Sequence, residues 1–139
     1  MSLTTLISDL LPQAEGYLPK WQLFIAATAL FNTLQNFASL KLTKRLYGGS
    51  PLVNPLQART FAIWTLTTAI IRGYAAYNLH IKPIYDIAFL SYFLAFFHFV
   101  SETMIFRSVK FSGPMIFPFL VSTGTLVCMF VQRDFYVKA

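Results

Sequence analysis

His98 and Glu102 stand four residues apart inside FLSYFLAFFHFVSETMIF, an otherwise apolar, Phe-rich run. On a helix this spacing puts both side chains on one face, where an imidazole can hydrogen-bond a carboxylate. Ionisable groups in such a run cost free energy, so they mark either a functional site or a polar contact between helices. What accompanies the pair limits its chemistry. A proton relay needs further titratable groups continuing along the same path, and none lies in the central part of any apolar run there. Haem ligation between helices uses histidines on facing helices, and His80, the only other histidine, falls near the opposite end. Zinc or di-iron sites need several more His or carboxylate ligands at short spacing. Cys128 is the single cysteine, so neither an intrachain disulfide nor a thiolate metal cluster can form. With no Gly-rich phosphate loop after a strand and no Ser-His-Asp or Cys-His set, the chain is expected to be no enzyme by itself and to hold no cofactor or metal.

The elements that carry these residues are set by composition. Of 139 residues, 56% are hydrophobic, 17% aromatic and only 12% charged, which is too apolar for a soluble fold of this size. One domain is expected, an all-α membrane protein of four transmembrane helices in an antiparallel bundle. The spans are about 21–40, 60–78, 84–106 and 114–131, within a membrane domain of residues 20–132. Twenty residues rise about 30 Å, the thickness of a hydrocarbon core. Pro114 and Pro118 fall in the first turns of the last span, where a missing N–H is tolerated or nearly so. Connections at 41–59, 80–83 and 107–113 are too short for a soluble catalytic domain. Residues 133–139 read as a tail. In the N-terminal segment 1–19, Leu3, Leu6, Ile7, Leu10 and Leu11 recur at helical spacing and end at Pro12; this short amphipathic helix either lies on the membrane interface or frays. No cleavable signal peptide is expected, and the first span would act as an uncleaved anchor.

The net charge of +6 comes from basic residues that mostly flank the apolar runs, so it points to the membrane surface and not to nucleic acid. Lys41, Lys44, Arg45, Arg59, Arg107 and Lys110 outnumber Lys20, Lys82, Arg133 and Lys138, which weakly places the first and third connections in the cytosol.

Polar groups inside the spans are the other signal. Thr28, Asn32, Gln35, Asn36 and Ser39 form a stripe that cannot face lipid comfortably. It serves packing within the chain, contact with another protein or, least expected, a substrate channel. Thr65, Ala69 and Gly73 form a small-residue groove that admits another helix and permits a homodimer. If the turn near Ile81 folds the second and third spans into a hairpin, equal depth suggests Arg72 paired with Asp86 and Arg59 with Glu102; alternatively Arg72 snorkels alone. His98 and Glu102 would then clasp the second span.

LVNPLQARTFAIWTL, with NTLQ before it, AIIR after it and HFVSE in the third span, resembles the ergosterol biosynthetic protein 28 family over most of the chain. By position, Asn32, Thr33, Leu34 and Gln35 match the first signature; Leu56 to Leu66, with Gln57, Arg59, Trp64 and Thr65, match the next; Arg72, His98, Ser101 and Glu102 follow. The resemblance implies a multi-pass endoplasmic-reticulum protein without catalytic residues, a scaffold tethering the sterol C-4 demethylation enzymes: C-4 methyl oxidase, sterol dehydrogenase/decarboxylase and 3-keto reductase. The alternative is a sterol-binding or sterol-handover protein, suggested by the aromatic third span and by seven tyrosines that could border a lipid groove. YVKA at the C-terminus lacks a lysine pair, so residence in the reticulum would depend on partners or on the spans.

Overall fold

Proline and its neighbours start every long helix. The computed structural model describes residues 2–138 and is all-helical there, with no strand among the described residues. The elements are α1 (Leu3–Leu10), α2 (Leu18–Ala38), α3 (Lys41–Leu46), α4 (Pro55–Asn78), α5 (Lys82–Met104), α6 (Gly113–Val131) and α7 (Arg133–Tyr136). Pro19, Pro55, Pro83 and Pro114 occupy the first or second position of α2, α4, α5 and α6, where the absent N–H is unneeded and φ is already helical. Asn54 caps α4 by accepting the Gln57 N–H at 2.9 Å. Ser2 caps α1 in the same way, accepting from the Thr5 N–H at 3.3 Å.

The order of the long helices is set by pairwise packing. α2 lies along α4, α4 along α5 and α5 along α6, each pair antiparallel: Thr33 meets Thr65, Trp64 meets His98, and Tyr85 meets Met129. α2 and α6 have no comparable packing. They are joined at one end by Trp21 Nε1, which donates to Thr125 Oγ1 at 2.9 Å, and bridged at the other by α3 against α6.

Two buried apolar clusters sit at the two ends. One gathers Leu18, Ile25, Tyr85, Tyr92, Met129 and Tyr136; the other gathers Tyr47, Phe61, Phe99, Val109 and Met115. Between them lies a buried polar layer with Thr33, Thr65, Thr68, Arg72, Ser91 and Ser122.

The largest departures from the helix bounds read in the sequence fall between residues 41 and 59. α4 begins a turn earlier than residue 60, because Asn54 and Pro55 start it through the polar residues Gln57 and Arg59. The 41–59 connection also contains α3, six residues too short and too polar to show a periodic apolar face. At the C-terminus α7 folds back, so that Tyr136 is buried and accepts the Leu18 N–H at 3.3 Å. Gly16 makes room for it: its φ of +85° suits glycine, and a Cβ there would overlap the Tyr136 hydroxyl. α1 has no buried residue, and its last carbonyl, of Leu10, accepts the Tyr77 hydroxyl at 2.7 Å.

Two helices, α5 and α6, are long and apolar enough to cross a membrane by length and composition. α2 and α4 fall below that average because their polar side chains are numerous. Those side chains are largely turned inward, while Phe24, Leu30, Phe31 and Leu34 of α2 and Ile63 and Ile70 of α4 are exposed.

Candidate functional site

The chemistry-bearing residue types meet at three places, and each is built from more than one helix. At the α3 end, the 47–54 turn presses against the 105–112 connection. Tyr47 is buried and its hydroxyl lies 2.7 Å from His98 Nε2. Burial pushes the Tyr47 phenol well above its ordinary range, with the Glu102 charge adding to the shift, so the hydroxyl stays protonated and shares a hydrogen bond with the imidazole. The His98 ring also stands edge-on to Trp64, with centroids 5.1 Å apart. Glu102 accepts the Ser108 hydroxyl. The Gly49 N–H donates to the Ser108 carbonyl at 2.9 Å, and Arg107 beside it takes a φ of +58°, in the left-handed region.

This arrangement corrects the expected partners. His98 and Glu102 turn to Tyr47 and Ser108 instead of to each other, since each finds a hydroxyl from a connection that caps this end. The expected Arg59–Glu102 pair is not formed: Arg59 is exposed and borders a shallow pocket with Asn36 to Leu40. The expected Arg72–Asp86 pair is not formed either. Asp86 takes Lys82 at 2.8 Å, one turn before it, and Arg133 of α7 at 2.6 Å. Depth along a helix hairpin fixes height but not direction around the axis, and α7 supplies a cation that no hairpin argument includes. His98 does bring α5 onto α4 through Trp64, but Glu102 reaches the 107–113 connection and not α4.

In the polar layer, Arg72 donates from Nε to Ser91 Oγ at 3.2 Å and from Nη2 to the Ser91 carbonyl at 3.3 Å, with its guanidinium 3.8 Å from the centre of the Tyr92 ring. The Tyr92 hydroxyl in turn donates to Gln22 Oε1 at 2.8 Å. Asn32 accepts from Asn36 at 3.0 Å and from Gln35 at 3.4 Å, and Asn36 accepts the Thr43 hydroxyl of α3. Those members of the polar stripe therefore bond within α2 and to α3, while Ser39 is exposed and accepts the Lys41 N–H. Gln57 Oε1 is buried with no donor among the described residues.

Thr65, Ala69 and Gly73 do form a groove, but α2 of the same chain fills it. Thr33 and Thr65 hydroxyls lie 2.9 Å apart, and a Cβ on Gly73 would meet Ala26 Cβ at 4.0 Å. The groove is thus taken up inside the chain and is not free for a second copy. Gly73→Ala is expected to stabilise by about 0.5–1 kcal/mol, because the space accepts a methyl and glycine is a poor helix residue. Gly73→Leu is expected to cost about 1–3 kcal/mol by pushing α2 from α4. Neither should alter a crosslinking pattern in detergent; loss of a crosslinked dimer with an unchanged melting temperature would assign the groove to self-association.

The third place is a cavity of about 670 Å³ between the two apolar clusters. Its walls include Ile25, Trp64, Thr68, Arg72, Phe99 and Ser122. Phe31 and Leu42 on one side and Pro114 and Phe117 on the other form an exposed rim across the unpacked α2–α6 seam. The volume lies within the range of small-molecule sites. Sequence reasoning missed this cavity, together with Tyr47, Gly49, Tyr92 and Ser108. The buried tyrosines gave no periodic signal, and contacts such as Tyr47 to His98 join residues far apart in sequence.

A family profile described as "Erg28 like protein" matches residues 18–127. Ergosterol biosynthetic protein 28 of Candida albicans is 43% identical over 132 residues, covering 94% of this chain and 96% of that protein. The Saccharomyces cerevisiae protein of the same name is 42% identical over 136 residues, covering 96% and 92%. The Homo sapiens ergosterol biosynthetic protein 28 homolog is 37% identical over 116 residues, covering 82% and 83%. No solved structure matches.

Proposed function

The chain belongs to the Erg28 family of ergosterol biosynthetic proteins, and from that premise we propose that it is a non-enzymatic scaffold of the endoplasmic-reticulum membrane that tethers the sterol C-4 demethylation enzymes. Four antiparallel helices, α2, α4, α5 and α6, span the bilayer in this reading, and α1 lies on its surface with Leu3, Leu6, Ile7 and Leu10 in the interface. The observation that carries it is how the polar groups are disposed. Tyr47, His98, Glu102, Gln22 and Tyr92 are tied to neighbours in the same chain, while large apolar side chains are exposed along all four long helices. Such a surface suits lipid and helix-to-helix contact with other membrane proteins. Holding successive enzymes together makes handover of a membrane-bound intermediate a local event, through effective concentration.

Affinity purification in mild detergent, combined with sterol profiling of a deletion strain, tests the reading. The C-4 methyl oxidase, the sterol dehydrogenase/decarboxylase and the 3-keto reductase should copurify, and 4-methylsterols should accumulate on deletion. Repeated absence of all three enzymes with a normal 4-methylsterol level would refute the scaffold.

The cavity favours a second reading, a sterol-binding or sterol-handover role. A photo-crosslinkable sterol should then label peptides of α2, α4 and α6 that line it. Uniform labelling of the exposed helix surfaces, or none, would count against the role.

A further inference from the structure

Arg72 is a buried cation that pairs with no anion among the described residues. The residue is only 7% exposed, and its partners are the Ser91 hydroxyl and carbonyl and the face of the Tyr92 ring, all of them neutral. Both ion pairs formed among the described residues belong to Asp86, which faces Lys82 and Arg133. Asp86 precedes Ser91 by a helical rise of about 7–8 Å, and Glu102 follows it by about 16 Å. Neither carboxylate is in reach. A guanidinium carries five N–H groups in a fixed fork, so two bonds to Ser91 leave donors over, and Arg72 lines the cavity. Thr68, one turn before Arg72 on the same face, lines it too. A second cation, Arg45, lines the cavity as well, but it is exposed to solvent where Arg72 is buried; most of the remaining wall is apolar and aromatic, with Ile25, Trp64, Phe99 and Val121.

A mainly apolar site with a buried, unneutralised cation in its wall selects by charge as well as by shape. Carboxylates match the guanidinium fork with two parallel hydrogen bonds, and burial strengthens the match because water does not compete. We propose that the cavity binds a lipophilic carboxylate, with its anionic end on the free N–H groups of Arg72 and its apolar body between Trp64, Phe99 and Val121. This rests on the second reading above, that the cavity takes a lipid-like ligand, and specifies the end of that ligand which the protein recognises. The same chemistry is offered by a rigid sterol-derived acid and by a fatty acid.

The test uses the purified full-length chain in mild non-ionic detergent at neutral pH, with bound ligand counted by native mass spectrometry. Cholesteryl hemisuccinate is titrated against its methyl ester, and oleate against methyl oleate. At least one acid should bind about tenfold or more tighter than its ester, a difference of about 1.4 kcal/mol. Whichever acid shows the larger preference identifies the body, rigid or flexible, and either result supports the assignment. Arg72→Met should abolish the preference, and Arg72→Lys, which keeps the charge and loses the fork, should retain part of it. The comparison on the unaltered chain does not depend on either variant folding. Equal binding of acids and esters would overturn the anionic assignment while leaving lipid binding intact. Failure of all four probes to bind would overturn both. A preference that persists unchanged in Arg72→Met would place the carboxylate elsewhere and overturn the proposal.

Discussion

Gly49→Ala is expected to lower stability by about 2–3 kcal/mol, as overpacking against a backbone does, whereas Gly48→Ala next to it should change stability by no more than about 0.5 kcal/mol. The two glycines are neighbours in the same turn and differ in what a methyl would meet. At Gly49 an added Cβ overlaps the Arg107 carbonyl oxygen and comes within 3.0 Å of the Ser108 carbonyl oxygen. At Gly48 its nearest neighbour is the Arg45 carbonyl oxygen at 3.4 Å, an ordinary contact. Backbone cannot swing aside as a side-chain tip can. Relief would require the 105–112 connection to retreat, which breaks the Gly49 to Ser108 hydrogen bond and withdraws Ser108 from Glu102. Thermal melting of both variants in one detergent, with membrane abundance alongside, measures the difference. Indistinguishable melting temperatures would show that this end is not held together by the close approach of the two connections.

The second large effect is at Tyr92, which is fully buried and faces in two chemical directions. Its hydroxyl satisfies Gln22, itself fully buried, and its ring lies under the Arg72 guanidinium. Tyr92→Phe keeps the ring and leaves Gln22 Oε1 without that donor, which costs about 1–3 kcal/mol. Tyr92→Ala removes the ring as well, and a vacated aromatic site costs about 3–5 kcal/mol. Loss of the π-face beneath a desolvated cation adds up to about 2 kcal/mol. The ranking, alanine worse than phenylalanine by at least about 2 kcal/mol, can be read from denaturation midpoints in mixed micelles. Equal losses would mean that the hydroxyl alone carries the residue's contribution.

The parts of this fold that a reader of the sequence can find are those coded by local chemistry. Pro114 announces the start of α6, Leu3, Leu6, Ile7 and Leu10 announce α1, and the small residues Thr65, Ala69 and Gly73 announce a close helix approach. What fills that approach is not local information, because the Thr33 and Ala26 that occupy it lie more than thirty residues away. The Arg72 and Asp86 partners were misread for a related reason. Their heights followed from the hairpin, but Ser91 claims one and Arg133, from a turn beyond the last long helix, claims the other. Tyr47 sits among glycines in YGGSP, where a turn is the natural reading, and only the folded chain turns its ring toward Phe61 and its hydroxyl toward His98. The cavity is the least legible feature, being what remains where two well-packed ends do not meet.

The seam between α2 and α6, fastened by Trp21 and Thr125 at one end and by α3 at the other, is a slit closed only at its ends. If the cavity takes a lipid-like ligand, as the second reading above proposes, this seam is its lateral entrance. Its lips are Phe31 and Phe117, each more than half exposed, and rotation of such side chains takes picoseconds to nanoseconds. On that reading, exchange would be set by the ligand's residence against the wall and not by slow opening of the protein.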